Sequence, residues 1–231
     1  MTSALWIPIT VAAAFCQNLR TVLQKQLRGQ LSTNGSTFTR YAFGSPVVVL
    51  YVVGLHVVAG LAWPEANVAF LAWVVLGSAT QTLATVFLIH IFRFRNFAVG
   101  VAYSKTEVIQ AAVFGLVFLG DAVTRWGAAA ITIGTLGVML ISLTRTQDVL
   151  RELLTGWTER PALIGLASGG LFGIAAVAFR AAALTLQGHG FVMSAGYTLL
   201  WANLLQTAVL AAYLHMRERD QLAKVVAAWR V

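Results

Sequence analysis

The segment Asn96–Thr144, NFAVGVAYSKTEVIQAAVFGLVFLGDAVTRWGAAAITIGTLGVMLISLT, limits what this chain can fold into more than any other. It reads as two hydrophobic spans, Phe97–Leu119 and Ala122–Leu143, hinged at Leu119-Gly120-Asp121. Each holds about 22 residues, and a helix crosses a bilayer core with roughly 20. The second span is nearly all apolar and small. The first carries Lys105, Glu107 and Gln110 near its middle, with Tyr103 one turn before Glu107. A carboxylate at bilayer depth costs on the order of 2–3 kcal/mol even on insertion scales, so it normally faces a polar interior. This is an integral membrane protein with something to handle inside it.

The remaining chain follows the same grammar. At 58% hydrophobic and 10% charged it is too apolar for a soluble domain. Span one, Leu5–Leu27, places Gln17, Arg20, Thr21 and Gln24 at i, i+3, i+4 and i+7, one helix face that should line the bundle interior. Arg20 either joins that face or snorkels to the near interface. Span two, Phe38–Leu61, contains Pro46, which permits a kink. Span three, Val68–Phe92, carries Ser78, Gln81 and Thr85 on one face. Span six, Pro161–Leu186, has a glycine ladder at Gly165, Gly169 and Gly173, a spacing that lets helix backbones approach closely in lipid. Span seven, Phe191–His215, holds Tyr197, Trp201, Asn203, Gln206 and Thr207. The fold class expected is an all-α integral membrane bundle of about seven transmembrane helices.

Charge sets the expected topology. The net charge of +8 could suit nucleic acid, but the basic residues fall between spans, where orientation alone accounts for them. Lys25, Arg40, Arg93, Arg95, Arg160, Arg217 and Arg219 group on one side, while Arg125 and Arg180 fall on the other. The positive-inside rule makes the first group cytoplasmic and puts the N-terminus outside. The connector after span five, with Val149, Leu150, Leu153, Leu154 and Trp157, has the pattern of a surface helix. Glu218, between Arg217 and Arg219, reads as solvated tail. The lone Cys16 allows no disulfide framework, and no cofactor motif is found.

Leu119-Gly120-Asp121, with Trp126-Gly127, Gly134 and Gly137-Val138 downstream, resembles the last two helices of the EamA repeat of the drug/metabolite transporter superfamily. The family usually has Leu-Gly-Glu at the hinge, and often proline where this chain has Thr106-Glu107. A shift of 155 residues lays Pro161 on Trp6, Arg180 on Lys25 and Gly190 on Gly35. Span six then repeats span one and span seven repeats span two, and an odd number of spans per repeat inverts the second copy. The resemblance implies five spans per repeat and ten in all. Residues 1–144 would be a first repeat of five spans, 145–160 a cytoplasmic connector, and 161–231 the first two spans of an inverted second repeat, shortened at its C-terminus.

The function expected is secondary transport, with export of a small metabolite or drug across a bacterial inner membrane. Candidate substrate-binding or coupling residues are Glu107, Arg20, Gln17, Lys105, Tyr103, Gln81, Trp201, Tyr197 and Asn203. Glu107 has two readings, a structural counter-ion to Arg20 and Lys105 or a proton-coupling site. Tyr197 and Trp201 would either form a stacking wall for a cationic or aromatic substrate or simply pack. The expected partners are a small-molecule substrate, protons on the second reading of Glu107, and lipid, with a homodimer left open. A membrane-embedded enzyme is disfavoured, because the four histidines are scattered and none completes a catalytic pair. A remnant protein without activity is the other alternative.

Overall fold

Hydrophobic runs punctuated by short polar turns become helices at nearly the expected boundaries. The computed structural model describes residues 6–27, 31–143, 156–186 and 188–227. Among them every regular element is helical: α1 (Trp6–Leu27), α2 (Thr33–Ala42), α3 (Gly44–Val57), α4 (Val68–Ile91), α5 (Phe97–Ser104), α6 (Glu107–Leu119), α7 (Arg125–Leu143), a short 3₁₀ turn (Gly156–Thr158), α8 (Arg160–Thr185), α9 (Gly190–Arg217) and α10 (Arg219–Ala227). Five units are long and apolar enough to cross a membrane: α2–α3 together, α4, α5–α6 together, α8 and α9. The chain is therefore a multi-pass helical bundle. α1 and α7 hold only shorter apolar stretches among the described residues, Pro8–Gln17 and Arg125–Ile141, so this measure reaches five of the seven expected spans. The surface helix expected around Val149–Leu154 lies outside the described residues.

Two spans are broken, each for a local reason. α2 gives way to α3 at Phe43, three residues before Pro46, where the missing N–H leaves the helix ladder one bond short. Ser45 Oγ donates to the Tyr41 carbonyl at 2.8 Å across the break. The second break, at Lys105-Thr106, occurs without proline. The Lys105 and Thr106 N–H groups bond three residues back, to Ala102 and Tyr103. Ser104 Oγ and Thr106 Oγ1 donate to the Val101 and Tyr103 carbonyls at 2.8 and 2.7 Å. Hydroxyls that compete for backbone carbonyls tighten a turn in this way. The hinge at Gly120 has φ +68, and the Asp121 N–H reaches back to the Gly115 carbonyl. That is a left-handed helix end, which glycine adopts without a Cβ penalty.

α8 is the central helix. One side runs antiparallel to α4: Asn67 Nδ2 donates to the Thr185 carbonyl at 3.2 Å, and Ser168 Oγ to the Ala84 carbonyl at 2.9 Å. The other side is the glycine ladder, laid along α5 and α6. A methyl on Gly165 would collide with the Gly100 carbonyl, and one on Gly173 would lie 3.0 Å from the Ala111 nitrogen. α9 runs parallel to α4, since Tyr197 meets Phe70 and Gln206 meets Ser78 and Gln81. Arg93, Arg95, Arg160 and Arg217 consequently gather at one end of the bundle, as the charge asymmetry requires.

The tail corrects one expectation. Glu218 is not solvated: its carboxylate accepts from Ser32 Oγ at 2.5 Å and Asn34 Nδ2 at 2.7 Å, while Ser32 N donates to Gln221 Oε1 at 2.8 Å. Val225 of α10 is buried. The flanking arginines gave no sign of this, because the partners lie more than 180 residues away. Glu218→Ala should lower stability by on the order of 1–3 kcal/mol, the cost of orphaning half-buried donors. The check is a lower melting temperature in detergent together with earlier proteolysis within α10.

Candidate functional site

Two cavities, each open along one side, lie end to end along the bundle. The larger, about 880 Å³, extends toward Leu186 and Gly190 between α8 and α9. The smaller, about 530 Å³, extends toward Phe92 between α4, α6 and α8. Arg40, Gln81 and Phe179 line both, so these three side chains form the partition between them.

Each partition residue is held by its helix and a neighbour. Phe179 projects from α8 into the gap left by Gly77 of α4, where a methyl would lie 2.6 Å from the ring. Gln81, from the polar face of α4, accepts from Gln206 Nε2 at 2.8 Å, and Gln206 also donates to the Ser78 carbonyl at 3.3 Å. Arg40, in the last turn of α2, donates from Nη1 to Thr85 Oγ1 at 3.1 Å. Thr85 is fixed in turn by the Gln81 carbonyl at 2.8 Å and the Tyr41 hydroxyl at 3.3 Å.

Of the residues expected at the site, Glu107, Lys105, Gln17 and Gln81 meet around the smaller cavity, and Asn203 lines the larger. Glu107 opens α6, in the first turn after the break, where a carboxylate complements the helix dipole. No ion pair joins it directly to Lys105 or Arg40. The side chain of Arg20 lies outside the described residues, so its proposed pairing with Glu107 does too. Asn203 turns its amide toward Gly44, and its buried Oδ1 has no hydrogen-bond partner among the described residues.

Three expected residues lie elsewhere. Tyr103, one turn before Glu107, packs into a buried cluster with Val99, Ala102, Met139 and Ala162. The break at Lys105-Thr106 is what separates it from the Glu107 face. Tyr197 is buried among Trp63, Phe70 and Trp201, ring against ring at 5.5–6.3 Å. Trp201 is 38% exposed on the outer surface of α9. The two rings thus pack with their aromatic neighbours, and neither lines either of these two cavities.

Arg40, Phe179 and Gln206 were missed as site residues. By charge Arg40 counts with the cations of the cytoplasmic side, and the structure carries it inside the helical unit Thr33–Val57. The polar face of Ser78, Gln81 and Thr85 was the available signal, since it calls for a polar partner from another helix. Arg180, which lines the larger cavity, is paired with Asp121 at the α6–α7 turn. No family model, curated protein or solved structure matches this chain.

Proposed function

We propose that this chain is a secondary transporter working by alternating access, an exporter of a small solute in a bacterial inner membrane, resembling the EamA type. The observation that carries the reading is the pair of cavities extending toward opposite ends and divided by three side chains. A continuous pore would have no partition, and a purely structural bundle would have no reason to keep Arg40, Gln81, Lys105 and Glu107 on cavity walls at this depth. The antiparallel packing of α3 against α9, through Ser45 with Thr207 and Tyr51 with Gly196, suits an inverted pair of repeats.

The test uses a Cys16→Ser background with a single cysteine at Ser194, in the larger cavity, or Val108, in the smaller. An impermeant thiol reagent is applied from either side of proteoliposomes. Each position should label from one side only, and from opposite sides. Labelling of either from both sides at once would indicate a channel, and labelling of neither would leave no pathway.

Phe179→Ala probes the partition itself. The half-buried ring contributes roughly 1.5 kcal/mol of packing, half of what a fully buried phenylalanine gives, which corresponds to about a tenfold shift in a closed-to-open equilibrium. Efflux of a small trapped dye should rise by a comparable factor. Unchanged efflux would place the barrier elsewhere.

A further inference from the structure

The transported solute is an organic anion: we propose that its carboxylate or phosphate head is received by Arg40 and Gln81 at the partition, while its apolar body lies against the wall of the larger cavity. The proposal rests on the transporter reading only in calling the ligand cargo; the site itself rests on hydrogen-bond donors.

At the partition, donors outnumber acceptors. Arg40 has five N–H donors, and its only side-chain acceptor among the described residues is the neutral Thr85 hydroxyl. Its neighbour Tyr41 offers a ring face 5.4 Å away, which orients a guanidinium without neutralising it. Gln81 is held with its oxygen toward Gln206, which leaves its N–H₂ with no acceptor among the described residues, beside Arg40 on the same wall. The hydroxyls further along the larger cavity are engaged with backbone: Ser194 donates to Leu186, and Thr198 to Ser194. The other cations divide unequally. Arg180 already has Asp121, whereas Lys105 adds a second positive group to the smaller cavity against the single acid, Glu107.

A guanidinium at this depth without a carboxylate partner is unfavourable, and a planar oxyanion matches its fork in two parallel hydrogen bonds. A cationic solute would have to pass Arg40 and Lys105 against the one carboxylate of the smaller cavity, Glu107. The rest of the larger cavity suits a hydrophobic body, being apolar at Leu184, Leu186, Phe191, Ala195 and Leu199, of which Leu184, Phe191 and Leu199 stand exposed at its open side.

Matched aromatic probes test this by calorimetry on the purified full chain in nanodiscs. Benzoate and phenyl phosphate carry the charge in two forms, benzyl alcohol lacks it, and benzylamine reverses it. At least one anion should bind more tightly than benzyl alcohol by about tenfold to a hundredfold, the range of a charge-assisted pair. The preference between benzoate and phenyl phosphate then identifies the head group. Arg40→Gln should bring the anion down to the level of benzyl alcohol, with benzyl alcohol binding unchanged. Should that variant fail to fold, Arg40→Lys keeps the charge but loses the fork, and anion binding should weaken by a smaller factor. Tighter binding of benzylamine, anion binding that survives Arg40→Gln, or no binding of either anion overturns the proposal. Uptake into proteoliposomes separates the two readings: benzylamine carried without anion binding refutes the anion site and leaves transport standing, and an anion bound but never moved does the reverse.

Discussion

Gly169→Leu is expected to abolish the folded yield of this protein. A methyl at Gly169 would already lie 2.9 Å from the Ser104 carbonyl and 3.2 Å from both the Glu107 nitrogen and Gln110 Nε2. Two of these are backbone atoms of the α5–α6 break, which cannot swing aside as a flexible side chain would. Overpacking by even one or two carbons costs roughly 1–3 kcal/mol, and leucine adds four at a contact built for none. Against a stability of about 5–15 kcal/mol, that loss takes a large share. Gly134 provides the control, because a Cβ there has nothing within 4 Å. Gly134→Leu should therefore melt at or above the parent temperature in detergent. If Gly169→Leu melts with it, α8 does not pack on the break, and the assembly of the smaller cavity has to be redrawn.

That contact also shows where the sequence was readable. The ladder Gly165, Gly169, Gly173 announced a close approach on its spacing alone, because small residues at i and i+4 have one physical use in lipid. Span ends were readable for a similar reason: α4 covers Val68–Ile91 against an expected Val68–Phe92, since hydrophobic length is set by the membrane. What the ladder packs on was not readable. Proline marks a break locally, as Pro46 did, whereas the turn at Lys105-Thr106 depends on hydroxyls choosing backbone carbonyls, a choice that packing decides.

The site divides along the same line. Gln17, Gln81, Lys105 and Glu107 line the smaller cavity, and each is legible as an interior group because a polar side chain in an apolar run needs a polar interior. Arg40 stands two residues inside the expected span Phe38–Leu61, close enough to its end to count as an interfacial cation, whereas the helix begins earlier, at Thr33. Its helix is held by the Ser32 cap and by Glu218 and Gln221, nearly the whole chain away. Tyr103 erred the other way: helical periodicity put it beside Glu107, and the periodicity stops at the break.

Glu107→Gln should leave the protein folded and remove the pH dependence of its transport. Glu107 shares the smaller cavity with Arg40 and Lys105 but is bonded directly to neither, and Tyr103 packs with Val99, Ala102, Met139 and Ala162. If Glu107 were a counter-ion locked to one of these cations, its removal would orphan a buried charge at about 3–5 kcal/mol. Without a direct pair, an isosteric amide should cost less than about 1 kcal/mol, the range of loosely coupled charges. What glutamine cannot do is gain and lose a proton once per cycle, which a coupling group facing an aqueous cavity must do. Transport driven by an imposed proton gradient should then fall to the passive rate, while exchange of solute for solute at equal pH continues. Melting temperature and gradient-driven uptake, measured on the same preparation, separate the roles. A variant that unfolds makes Glu107 a structural counter-ion, with Arg20 as the partner to test next. A variant that folds and responds to the gradient as the parent does removes Glu107 from the mechanism, and with it the reason α6 begins with an acid at the wall of a cavity.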